Sequence, residues 1–430
     1  MSTPLTARIL ENYAGVAGTL PASAAAAARR HAAIEALAAA GLPTSRDENW
    51  KYANLRMLER QRFAPAAVAE PPHPPADLPP PLASTARYVF VDGVRVPSVS
   101  QPPLSGSAQL TTLDDTAAHL ARHTPRGDAR FALLNQAFAT DGLAIRVPAG
   151  SAEPVRLELL FVANAAAERG ASYPSVTVRL EPGARMVLIE RHVSAAVAAS
   201  FVSSAVTVEL AHGALLEHYR LQELNTRSVL FDTLSANVAA QARYRLHAVS
   251  AGAQAARSTL AVRLGGERGE LTLACAALGE RQQVQDTYAV VEHAAAHART
   301  EQIFRGIAAG RSRVAFNGKI VVASGARGTD SRQSLRGLLA GPEAEIDVRP
   351  QLEIYTDEVR CSHGATAGKL DDDMLFYLLS RGLDCDSAQR LLKWAFLEDV
   401  IGKIARPVLR RQIEERLAAA LHDDTLRELL

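Results

Sequence analysis

The chain is predicted to be mainly β: a long β-solenoid body with α-helical segments at both ends. Three observations carry this expectation. From about Tyr88 to about Thr366 apolar residues alternate over short runs, as in Val176, Val178, Leu180 and in Leu260, Val262, Leu264, the period of a strand. Small residues in the turns between such runs, at 184, 214, 242 and 269, recur at spacings of 30, 28 and 27 residues. A strand-rich repeat of that length is what stacked solenoid coils produce, each burying its face on the next. Outside this stretch the apolar period becomes that of a helix. Spacing alone also admits an antiparallel sandwich.

Residues 1–64 form an N-terminal helical domain. Helices are expected over 5–18 and 22–40, with Ile34 and Leu37 on one face, Gly41 as the stop and Pro43 beyond it. The stretch Arg46–Tyr52 follows, and Leu55 and Leu58 continue at helical spacing. Residues 65–84 are a linker, because prolines at 65, 71, 72, 74, 75, 79, 80 and 81 favour extended polyproline geometry and exclude helix or central strand. The β body spans 85–366, with a helical insertion near 112–139 marked by Leu133, Leu134, Ala137 and Phe138. Further alternation falls at 206, 208, 210, at 244, 246, 248 and at 271, 273, 275. Residues 367–430 return to helix. Asp371, Asp372 and Asp373 occupy a first turn where carboxylates complement the helix dipole, and Gly382 stops that helix. A second helix starts near a cap at Asp386–Ser387 and runs through Leu392, Phe396 and Ile404, and Pro407 opens a third through Leu417 and Leu421.

Composition excludes several function classes. With 47 Lys and Arg against 46 Asp and Glu, the net charge is +1, so the basic excess of a nucleic-acid binder is missing. No stretch approaches the ~18–20 apolar residues of a membrane span, and the start lacks an apolar run behind a basic segment. Cys275, Cys361 and Cys385 fit no disulfide framework, which points to a reducing cytoplasm. Gly318-Lys319 lacks the upstream glycine of a phosphate-binding loop and is followed by Ile320, so the chain is expected to bind no nucleotide. No serine sits at the centre of a G-x-S-x-G elbow. An enzyme is not indicated.

One string carries metal chemistry. In Cys361-Ser362-His363-Gly364 the first and third residues share a strand face, so thiolate and imidazole, both ligands of iron and zinc, occupy one space. Two ligands make half a tetrahedral site, and from spacing alone a buried Cys361 with a hydrogen-bonded turn His363 is the favoured account. Cys275 alternates inward and reads as core. Cys385, between helices, is given no role. His192, His212, His218, His247, His293 and His297 are scattered over separate coils; they could line one solenoid face, but surface positions are the favoured account.

The last third of the chain resembles the SufB/SufD family of iron–sulfur cluster assembly proteins. The likeness rests on Phe316-Asn-Gly-Lys-Ile320, Thr329-Asp-Ser-Arg-Gln333, Pro350-Gln-Leu-Glu-Ile354, Val359-Arg-Cys-Ser-His-Gly-Ala-Thr366 and Leu375-Phe-Tyr-Leu-Leu-Ser-Arg-Gly382. Near the N-terminus, Glu48-Asn-Trp50-Lys51-Tyr52 is similar to the family's E-x-W-K-Y signature. SufB-type chains carry a glutamate-bearing H-E-A-T string where this chain has S-H-G-A-T, so the likeness is to the other branch.

The resemblance implies a right-handed parallel β-helix flanked by helical domains, which displaces the sandwich. It implies a scaffold subunit that pairs with a SufB-like chain through the β-helix and binds a SufC-like ATPase through its C-terminal helices; a homodimer of the isolated chain is left open. It also implies a transient iron–sulfur cluster or iron shared with the SufB-like chain, His363 being the principal metal ligand and Cys361 the secondary one. Two other readings stay open: a purely structural partner without a ligand role, and a β-helix carbohydrate-active enzyme. The second lacks both a secretion signal and hexapeptide repeats.

Overall fold

The structure, a computed structural model, describes residues 3–20, 24–53, 55–65, 74–82, 85–101, 108–112, 128–150, 153–164 and 169–421. Seven parallel coils make the body, each with one strand in either of two sheets. The first coil is formed by Ser175–Leu180 and Arg185–Ser194, and the second by Ala205–Leu210 and Leu215–Glu223. Coils three to five follow as Val229–Val238 with Arg243–Ser250, Ala255–Leu264 with Glu270–Gly279, and Val284–His293 with Arg299–Ala308. Coil six is Arg313–Val322 with Asp330–Leu339, and coil seven is Glu345–Ile354 with Arg360–Lys369.

The repeat read from the turns is the stacking period. The amides of Leu215, Arg243, Glu270 and Arg299 donate to the carbonyls of Ala184, Ala214, Ala242 and Gly269 at 2.8–2.9 Å, so each small residue lies one coil below the next. Those positions must stay small because the chain turns there against its neighbour. Inward ladders such as Leu180, Leu210, Val238 and Leu264, in register across coils, build one continuous core. Each such side chain contributes roughly 1.5–3 kcal/mol when buried.

Both sheets are also covered from outside, which is why runs such as Met186-Val-Leu-Ile189 are apolar without alternation. Helices α1 (Pro4–Val16), α2 (Ala24–Ala40) and α3 (Arg56–Gln61) and the later α4 (Arg130–Phe138) belong with one sheet. Phe131, Leu134 and Phe138 of α4 pack there with Phe201 and Phe231. Helices α5 (Asp372–Ser380), α6 (Cys385–Ile401) and α7 (Pro407–Ala420) follow the last coil. Leu397, Val400, Ile401 and Leu409 seal the other sheet against Ile189, Tyr219, Ala274 and Ile303. The acidic triplet caps as expected: Asp371 Oδ1 accepts from the amides of Asp373 and Met374, both at 3.0 Å. The second of these helices begins two residues earlier than its sequence signal, because Asp384 is the residue whose carboxylate caps the Ser387 amide, at 2.9 Å.

Part of the Pro-rich segment, 66–73, and residues 113–127 of the expected helical insertion lie outside the described residues. The end of the Pro-rich segment is pinned to the solenoid: Arg87 donates to Pro79 O at 2.6 Å, and the Leu82 amide donates to Glu158 Oε2 at 3.0 Å.

The two ends of the solenoid differ. The first is closed by antiparallel pairs, Gln109–Thr112 on Gly142–Val147 and Val94–Arg95 on Ala86–Val91. At the other end both strands of coil seven are terminal in their sheets.

Candidate functional site at the open end of the solenoid

Cys361 and His363 lie on the terminal strand Arg360–Lys369, in register with Ser331 and Gln333 of coil six. Ser331, Gln333 and Leu335 are buried and face the lumen, so Cys361, His363 and Ala365 face it one coil further out. Gln333 donates to Gln302 Oε1 at 2.7 Å and to Gly318 O at 3.1 Å, a small polar stack at whose open end His363 sits exposed. Cys361 is half-buried against the solenoid core beside Ile346, Val348 and Val359. Burial, and then the nearby Asp330 charge, raise its thiol pKa although the Ser331 backbone lowers it. No group of three or more His, Cys, Asp or Glu among the described residues is placed to hold a metal. The pair lies on a strand whose outer edge has no neighbouring strand among the described residues.

Cys275 is buried in the core and its thiol is pushed up to about 12 by burial, as its inward alternation implied. Cys385 is exposed at the start of α6. The histidines correct the sequence reading: His212 and His297 are exposed, but His192, His218, His247 and His293 are buried. Two of them belong to a charge network in the lumen. Glu190 takes His218 Nε2 at 2.9 Å, His192 Nε2 at 3.3 Å and Arg220 Nε at 3.0 Å, and Arg220 also reaches Asp232 at 2.6 Å. Burial would raise the Glu190 pKa, yet Arg220 and the two imidazoles together hold it well below the carboxylate range. The signal was present in Leu188, Glu190, His192 and in Leu216, His218, Arg220, polar residues continuing an inward apolar register. Mutual pairing, invisible from one strand, lets them stay inside.

The signature around Trp50 also finds a physical role. Its indole stacks on Phe131, lies 4.5 Å from the Arg257 guanidinium and donates to Asp128 Oδ2 at 2.6 Å. Arg257 in turn pairs with Asp286 and donates to Asn49 O at 2.8 Å. Trp50 thus clamps the N-terminal helices onto the solenoid.

On the far side, α5 leaves Met374, Phe376 and Tyr377 exposed, Phe376 by 72%. No part of the described chain covers them. No helix among the described residues is long and apolar enough to cross a membrane.

Comparison with known proteins agrees with these features. Residues 161–396 match the family model of the SUF system FeS cluster assembly, SufBD core domain. The chain is 32% identical to the iron–sulfur cluster assembly protein SufD of Escherichia coli, over 90% of this chain and 91% of that protein. It is 27% identical to a SufBD family protein of Synechocystis, over 90% and 89%. Protein ABCI7 of Arabidopsis thaliana, a chloroplastic protein, is 27% identical over 67% of this chain and 62% of its own. An open-ended solenoid with helices on both outer faces, carrying this terminal Cys-x-His strand, therefore belongs to the SufBD family of iron–sulfur cluster assembly proteins, on its SufD side.

Proposed function

We propose that the chain is a non-enzymatic subunit of a cytoplasmic iron–sulfur assembly scaffold, placing His363 opposite ligands of a SufB-like partner so that iron or a nascent cluster is held between the two. The observation that carries this reading is the exposure of His363 on a terminal strand whose outer edge has no neighbouring strand among the described residues. Iron or cluster is here cargo, and Cys361 is a secondary donor because its thiol must first lose its proton. The imidazole binds through a neutral nitrogen and releases its cargo without a charge being stranded, which suits a temporary site.

Two supports extend the reading to partners. Coil seven offers two ten-residue strand edges and a half-covered apolar core, with Ile354 41% and Tyr355 59% exposed; edges of that length are templates for pairing, the Arg360–Lys369 edge more so than Glu345–Ile354, which Pro350 interrupts. The apolar face of α5 and the adjoining α6 suits a second protein, a SufC-like ATPase, supplying the nucleotide chemistry for which the sequence has no loop. A homodimer through coil seven is the form expected when the SufB-like chain is absent.

The test is anaerobic reconstitution of the complex with iron and sulfide. His363→Ala should assemble the complex but build cluster at a small fraction of the wild-type rate, with altered Mössbauer spectra, and Cys361→Ser should lose less. Cluster built at the wild-type rate by His363→Ala would reduce the chain to a structural spacer. For the ATPase, Phe376→Asp should abolish capture of the SufC-like chain in a pull-down while leaving SufB-like pairing intact. Retained capture would remove α5 from that interface.

A further inference from the structure

Beneath His363 the lumen of the solenoid holds an oxygen that folding leaves unpaired. Gln333 stands one coil down on the neighbouring strand, in register with His363, the two backbones about 4.8 Å apart as in any sheet. Gln333 is buried. Its amide nitrogen donates to Gln302 Oε1 at 2.7 Å, one coil further in, and to Gly318 O at 3.1 Å across the lumen. The Gly318 carbonyl can only accept, so this contact fixes which end of the amide is nitrogen. Gly318 is part of the fit, because a Cβ there would stand 2.9 Å from the Gln333 nitrogen and 3.1 Å from Gln302 Oε1. The amide is held at its nitrogen end, and its oxygen has no hydrogen-bond partner among the described residues.

A buried oxygen without a donor is costly and calls for an explanation. An apolar side chain would fill this place without that cost, as Leu335 does two residues along on the same lumen face. The residue that follows Gln333 in the stack, on the last strand of the sheet, is the exposed His363.

We infer that Gln333 is a positioning residue for this imidazole: its Oε1 accepts the N–H of one ring nitrogen of His363, which fixes the tautomer and leaves the lone pair of the other nitrogen turned away from the lumen. The inference rests on the reading of His363 as a metal donor. A donor imidazole is oriented by a carbonyl or carboxylate oxygen on its second nitrogen, which also makes it a stronger base. A side-chain amide does this without placing a charge in the lumen. Gln333 stays fixed by its two bonds, and the exposed ring turns about its own side-chain bonds to meet it.

Long-range proton–nitrogen spectra of the full chain carrying isotope-labelled histidine, at a pH where the imidazole is neutral, test this with no metal present. The His363 signal is the one missing from His363→Ala. In the wild type its two ring nitrogens should show the shifts of a single tautomer. In Gln333→Met, which keeps the volume and removes the acceptor, they should show the averaged shifts of a freely exchanging ring, and in Gln333→Glu, which restores an acceptor, the single tautomer should return. Ser331→Ala, on the same strand below Cys361, should keep the wild-type pattern. Melting curves identify a variant that has lost the fold, and Gln333→Leu is the second apolar replacement. Cobalt(II) titrated into the complex with a SufB-like chain should bind about tenfold more weakly in Gln333→Met. Averaged shifts in the wild type, a single tautomer retained in both apolar variants, or unchanged cobalt affinity in them would overturn the positioning role and leave the donor reading of His363 standing. Wild-type cobalt affinity in His363→Ala would instead overturn the donor reading itself.

Discussion

At the scale of residues, two buried populations have consequences that can be measured. His247 and His293 have pKa values lowered to about 4, by burial in both cases. Unfolding restores the usual value near 6.5, so between about pH 6.5 and 4 the unfolded chain binds the extra protons. The stabilisation is complete above that window and is lost as pH falls through it, by up to roughly 3 kcal/mol for each histidine. Urea unfolding midpoints should therefore drop between pH 7 and pH 5, and a flat profile would show that both imidazoles stay solvated. Glu190, held low by Arg220 and its imidazole partners, adds a loss in the same direction at still lower pH. The second population is the lumen network itself. Arg220→Met leaves Glu190 and Asp232 buried without their cation and should cost about 3–5 kcal/mol in equilibrium unfolding, whereas exposed Arg243→Met should change little. The histidines of this network, His192 and His218, read as surface positions from sequence because single-strand alternation carries no record of a partner on the next coil.

At the scale of elements, the coil is legible and its couplings are less so. Alternation and the small turn residues Ala184, Ala214 and Ala242 report stacking directly, since each touches the coil below through a backbone hydrogen bond. The turn glycines separate two kinds of constraint. At Gly266 an added methyl would collide with the backbone of Ala239 and Ala240 in the preceding coil, while at Gly213 it meets nothing within 4 Å and only the φ of +66° is strained. Gly266→Ala is expected to prevent normal stacking or lower the melting temperature by many degrees, and Gly213→Ala to cost about 1 kcal/mol. Equal effects would show that the coils adjust freely. The docking of the N-terminal helices was not legible at all beyond the presence of Trp50, because Arg257, its cation, lies some two hundred residues along the chain. Trp50→Ala should cost about 3–5 kcal/mol and release the N-terminal helices to protease before the solenoid.

At the scale of the whole molecule, the asymmetry of the two ends is the central fact. One end is closed by short antiparallel strands, and at the other the strands Glu345–Ile354 and Arg360–Lys369 pair with coil six on one side only. Sequence indicated the Cys-x-His pair but could not show that it falls on the outermost coil, since that depends on where stacking ends. Long strand edges left open are templates for pairing, and the proposed Cys-x-His site would lie on one of them. Amide hydrogen exchange, compared between the dilute monomer and the complex with a SufB-like chain, tests this most directly. The account predicts that those amides of 345–354 and 360–369 that point away from coil six exchange readily in the monomer and become strongly protected in the complex, while those bonded to coil six are protected in both. Unchanged exchange in both strands, with protection appearing elsewhere on the chain, would contradict it.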